Sequence, residues 1–182
     1  MNWARSTTLS LTASDGIDIQ SSLTSLTGNG AANLQAGGAI TESGAGAILA
    51  KSLSGLSGGA TTLLGINQIS DLKDFQAGSG ELSLYDDADL VIKGSVAANG
   101  DPISLETTQG HGIRIAGALS TSGALTMVSG DNVVENSNTG TITAGGLSVS
   151  AQTGINLQGA NNIGTVVVDF TVSGPNKINN GP

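Results

Sequence analysis

The stretch LSLYDDADLVIKGSVAANGDPISLET (82–107) decides the architecture. Leu82 and Leu84 stand two apart, as do Leu90 and Ile92, and then Ile103 and Leu105. Apolar residues at that interval mark a short strand with one buried face. The pair at 82 returns as Ile103/Leu105, Leu125/Met127, Leu147/Val149 and Val166/Val168/Phe170, in steps of 19–23 residues. That step matches one coil of a parallel β-solenoid carrying two or three short strands per turn.

Working outward, the same pairing occurs at Leu9/Leu11, Ile17/Ile19, Ile113/Ile115 and Ile155/Leu157. The pairs are separated by turn-forming dipeptides: Asp15-Gly16, Asn29-Gly30, Gly37-Gly38, Gly58-Gly59, Asn99-Gly100 and Gly145-Gly146. The nearest approach to helical spacing is Ile66, Ile69, Leu72 and Phe75, whose strict three-residue steps drift off a single helical face. One coil of five or six buried aliphatic side chains cannot offset the entropy of ordering about 20 residues, so coils must stack. In a stack, each strand bonds to the coil below and the coil above. About nine coils, at roughly 4.8 Å each, would form a rod near 43 Å long. An antiparallel sandwich would need longer strands and a bulkier core.

Composition agrees. Of 182 residues, 28 are Gly, 22 Ser, 18 Thr and 14 Asn, whereas aromatic residues make up 2% and charged residues 11%. A thick aromatic core is excluded, yet 38% hydrophobic content also excludes a disordered chain. The net charge is −8, and the six basic residues are scattered along the sequence at 5, 51, 73, 93, 114 and 177, so nucleic-acid binding is not expected. No run of 18 apolar residues occurs, and membrane insertion is not expected. The opening MNWARSTTLSLT holds no apolar core of a secretory signal, and no Asn-x-Ser/Thr sequon is present. The absence of cysteine removes disulfides and thiolate chemistry.

The chain also resembles itself at a shift of 94 residues. AITESGAGAILAKSLSGLS (39–57) overlays VVENSNTGTITAGGLSVSA (133–151), placing Ile48 on Ile142 and Leu53 on Leu147. Further on, Leu63, Gly65, Asn67 and Ile69 fall on Leu157, Gly159, Asn161 and Ile163. Near the start, Leu9 and Leu11 fall on Ile103 and Leu105, and after a two-residue insertion GIDI (16–19) falls on GIRI (112–115). We read residues 1–182 as one solenoid segment made of two related copies, about 6–99 and about 100–178, the second truncated.

Segments such as GINQISDLKDFQAGSGELSL (65–84), LVIKGSVAANGDPISLET (90–107) and TGTITAGGLSVSAQTGINLQGANNIGTVVVDFTVSG (139–174) resemble the repetitive shaft of filamentous-haemagglutinin-like exoproteins. These are exported by two-partner secretion or as autotransporter passengers. The resemblance covers nearly the whole chain and rests on a degenerate pattern. It implies a right-handed parallel β-helix, an outer-membrane transporter as partner during export, a secreted or cell-surface location, and a role in adhesion, aggregation or biofilm. The family's amino-terminal secretion domain has no counterpart here, and both ends fall inside the repeat pattern. The chain therefore reads as a segment of a longer protein. A host-cell receptor or glycan, and end-to-end self-association of exposed coils, are the further partners to expect.

Little chemistry stands out, and no cofactor or catalytic residue is expected. His111 is the single histidine and reads as a solvated turn residue within the two-residue insertion. Asp86, Asp87 and Asp89 are a weak Ca²⁺ candidate, with Asp87 and Asp89 on one side and Asp86 on the other, but no calcium-loop motif surrounds them. The alternative function is a carbohydrate-active β-helix using Asp74, Glu81, Asp101, Glu106 and Arg114. The scarcity of aromatic platforms speaks against it. Ice binding would need ranks of Thr-x-Thr, and only Thr141-Ile142-Thr143 qualifies. Asn67, Asn161 and Asn162 are expected to bond backbone along the stack, and Phe75 and Phe170 to plug the core.

Overall fold

A computed structural model describes residues 1–4, 6–169 and 174–181, without the side chains of Val168 and Asp169. The chain winds as a parallel β-solenoid of about eight turns, with no helix among the described residues. Each turn contributes to three parallel sheets, named A, B and C in the order in which the chain first completes them. Sheet B follows the arithmetic of the sequence most directly. Its rungs are Ile17, Ile40, Thr61, Leu82, Ile103, Leu125, Leu147 and Val166, each in register with the next. Sheet A stacks Leu34, Gly55 and Phe75, then passes through Val96, Leu119 and Ile142. Sheet C stacks Leu90, Ile113 and Val133, and then Ile155 beneath Asn176. There are about eight coils, not nine, because most turns take 21 or 22 residues rather than the shorter step.

Inward positions of all three sheets meet along one narrow axis, where Leu34, Ile40, Ile69, Leu90, Ile103 and Leu157 are wholly buried. Phe75 is the bulkiest of them, at 2% exposure, and acts as the expected plug. Its ring has room because Gly55, its partner one coil below, carries no side chain. The gap left among Leu53, Leu63, Leu72 and Phe75 is only about 10 Å³, roughly one water-sized sphere. Phe170 lies outside the described residues.

Two features depart from the expected pattern of short strands. Ile40–Ser57 and Thr61–Ala77 each run through all three sheets without a break. Glycines at the corners make this possible. Gly46 and Gly65 let the backbone pass directly over the carbonyl oxygens of Ile19 and Gly46, where a Cβ would collide. The three-residue steps from Ile66 to Phe75 belong to the second of these long strands, with Ile69, Leu72 and Phe75 buried and Ile66 exposed. Gly145-Gly146 likewise lies within the strand Thr141–Ala151 instead of ending one. In contrast, Asn99-Gly100 closes a true turn, and Gly100 adopts φ +90°, which favours a residue without a side chain.

The 94-residue shift has a geometric meaning. Four turns separate Ile17 from Ile103 on sheet B, and eight further residues reach the next side of the coil. Residues 94 apart therefore sit four turns on and one sheet round. Ile48 on sheet C corresponds to Ile142 on sheet A, and Leu53 on sheet A to Leu147 on sheet B.

Candidate functional site

The chemistry begins at the corners, where polar side chains turn inward and bond to backbone in neighbouring coils. At the B–C corner the Asn67 side chain is fully buried. Its Oδ1 accepts from the Ile48 amide one coil below at 2.6 Å, and its Nδ2 donates to the Tyr85 carbonyl one coil above at 3.0 Å. Nδ2 also donates to Glu42 Oε2, which accepts the Gly65 amide at 2.7 Å. One coil up, Asp86 is 0% exposed and its Oδ1 accepts from Ile69 N at 2.9 Å.

The C–A corner repeats this arrangement 93 or 94 residues later. Asn161 Oδ1 accepts from Ile142 N at 2.7 Å, and Nδ2 donates to Asn179 O and to Glu135 Oε2. Glu135 Oε2 accepts the Gly159 amide at 2.6 Å. Asn180 stands where Asp86 stood, and its Oδ1 accepts from Ile163 N. Asn67 and Asn161 thus bond backbone along the stack as expected. Asn162, by contrast, is exposed at a strand start. Three carboxylate oxygens in these networks are buried without a partner: Glu42 Oε1, Asp86 Oδ2 and Glu135 Oε1. Burial raises the Glu42 carboxyl above its ordinary value, against the pull of Gly65 and Asn67. Burial pushes Asp86 up further, to about 7.

The three aspartates proposed for Ca²⁺ are dispersed by these roles. Asp86 points inward, Asp87 Oδ1 accepts from Thr108 Oγ1 at 2.6 Å, and Asp89 Oδ1 accepts from Gly112 N at 2.9 Å. Among the described residues no group of three or more His, Cys, Asp and Glu side chains is arranged to hold a metal. His111 lies in the turn above, half-exposed, with Nδ1 3.5 Å from Asp89 Oδ1.

The residues of the carbohydrate-active reading also separate. Asp74 accepts from Ser95 N beside sheet A, while Asp101 accepts from Gly80 N at the A–B corner, next to the exposed Glu81. Glu106 is on the outer face of sheet B and Arg114 on that of sheet C. Arg114 does line a shallow open groove of about 640 Å³, with Asp89, Val91, Lys93, Asp131 and Val134 around it.

Folding gathers what the sequence scatters. Lys51, Lys73, Lys93, Arg114 and Lys177 all fall on sheet C or at its corner with sheet A, interspersed with Asp71 and Asp74. Lys93 is paired with Asp71 at 2.9 Å. Asp18, Glu42 and Glu106 lie on sheet B, with Glu81, Asp101, Asp87, Asp89 and Asp131 at its flanking corners.

Sheet B also carries a feature that strand-by-strand reading misses. Thr41, Thr62, Ser83, Ser104, Thr126 and Ser148 stack on successive coils as a single column of hydroxyls. The signal was present as the middle residue of LSL, ISL, LTM and LSV, but it shows only when coils are aligned on one another. Beside the column, Leu64, Tyr85 and Glu106 line a shallow depression with Ser83 and Ser104. Thr141 is partly covered and Thr143 exposed, both on sheet A and outside this column.

Among the described residues there is no helix long and apolar enough to cross a membrane. No family model matches the chain, and no curated protein and no solved structure matches it at a significant level.

Proposed function

We propose that the chain is a non-catalytic shaft segment of a secreted, cell-surface bacterial adhesin of the filamentous-haemagglutinin type. One observation carries the reading. Three parallel sheets run without interruption through about eight turns around a filled aliphatic interior, and the titratable side chains are spent on corners and separate faces. Such a stack transmits position along its axis, because every coil is bonded to both neighbours. Export through an outer-membrane transporter, and contact with a host-cell receptor or glycan, follow from the family resemblance.

Antibody raised against the purified chain tests the location. Intact cells of the source bacterium should label. Labelling only after permeabilisation would overturn the surface assignment.

The groove around Arg114 favours a second reading, a carbohydrate-active β-helix. Incubation with a panel of acidic polysaccharides separates the two. The shaft reading expects no new unsaturated or reducing ends. Release of such ends, lost in Arg114→Ala, would establish the enzyme instead.

A further inference from the structure

Asp86 and Asn180 occupy equivalent places in the two corner networks but complete them differently. Each offers an Oδ1 to the backbone amide of an isoleucine, Ile69 at 2.9 Å and Ile163 at 2.8 Å. Asn180 then returns a second bond, Nδ2 donating to the carbonyl of the same Ile163 at 2.8 Å. An amide can do this because it holds a donor beside its acceptor; a carboxylate has none. The corresponding atom in Asp86, Oδ2, is buried and has no partner. An ionised carboxylate left in that state is costly, and among the described residues no cation pairs with it.

We propose that Asp86 is held as a neutral carboxylic acid, its Oδ2–H donating to the Ile69 carbonyl as the Asn180 amide donates to Ile163, so that losing this proton to solvent loosens the B–C corner. The groups facing it fit this role. From the coil below come Asn67 and the Ile69 backbone, and from the coil above Thr107, all uncharged. The charged neighbours are both acidic: Asp87, next in the chain, and Glu42, on the far side of Asn67. His111 is turned outward to Asp89 and offers no counter-charge.

The sign of the effect follows. Burial raises the folded-state value to about 7 from an ordinary 3.8. The stabilisation is complete below about pH 4 and is lost as pH rises towards and through 7. Across that window, Asp86 alone should lower the folding equilibrium constant by about a thousandfold.

Asp86→Asn isolates this contribution, since it installs the side chain already accommodated at 180. Urea melts from pH 4 to 8 should show wild type losing stability relative to Asp86→Asn by up to that factor, with the variant the more stable above pH 7. Parallel pH profiles for the two proteins would overturn the proposal. A direct measurement on the wild-type chain uses carboxyl carbon NMR, in which the Asp86 resonance should titrate near neutrality. A midpoint near 4 would overturn the proposal whether or not the variant folds.

Discussion

The residues that fix this fold most tightly are those with no room to change. Gly58 at the A–B corner lies directly over the Gly37 carbonyl, so a Cβ there meets backbone that cannot swing aside. Gly58→Ala should therefore lower stability by about 1–3 kcal/mol, as overpacking does elsewhere. A thermal melt no lower than wild type would show that the corner can give. Asn161 is constrained by bonding instead. Truncation to Ala strands the Ile142 amide and the Asn179 carbonyl at a buried corner, and leaves Glu135 Oε2 with the Gly159 amide alone. Each unsatisfied group costs about 1–3 kcal/mol, so Asn161→Ala should cost about 3 kcal/mol or more in a urea titration, whereas exposed Asn162→Ala should be close to neutral. The sequence already marked Asn67 and Asn161 as stack-bonding, because they recur at one shift in similar surroundings. It did not reveal that Asp86 points inward with them. A carboxylate in a run of aspartates reads as exposed, and only the register of the coil below decides which one is swallowed.

At the scale of the strand, the legible part was the apolar pair. Leu82, Ile103, Leu125 and Leu147 were aligned by spacing alone and are in register. Period-two alternation fixes which face is buried, and constant coil length fixes which residue lies above which. The corners were less legible. Gly44, Gly46 and Gly55 mark breaks in most strands, yet Ile40–Ser57 passes through all three, because its hydrogen bonds run between coils and survive a bend. Register shifts between Thr41 and Leu49, and between Leu53 and Gly55, absorb the turning. A core substitution tests whether the strands share one interior. Leu105 is wholly buried between Leu84 and Met127. Leu105→Ala should cost about 2–5 kcal/mol, and the loss should appear in a single cooperative transition. Near-neutrality would mean that the coils collapse around the gap more readily than close packing allows.

The whole molecule is governed by nearest neighbours. The strands of its described residues pair from coil to coil, so a solenoid should tolerate the removal of one entire turn where it would not tolerate the loss of half of one. Residues 82–102 form such a turn, from one sheet B rung to the residue before the next. Without them, Ile103 would follow Glu81 and stack on Thr61, as Leu82 does now. Leu119 would cover Phe75 in place of Val96, and Thr107 would come to lie above Asn67 in place of Asp86. Every inward position would still face an apolar or hydrogen-bonding neighbour, so the shortened chain should fold with β-type circular dichroism. Its maximum dimension in X-ray scattering should fall by about 4.8 Å. It should also lose the pH dependence that Asp86 confers. Removing 82–92 instead takes out sheets B and C of that turn but leaves its sheet A strand, Ser95–Ala98, to follow Glu81 where a sheet B rung belongs. That deletion breaks the register and should abolish cooperative unfolding. If both deletions unfold alike, coil-by-coil stacking is not what holds this chain together. If the whole-turn deletion alone survives, the length of the rod is set by the number of turns, which is the property a shaft requires.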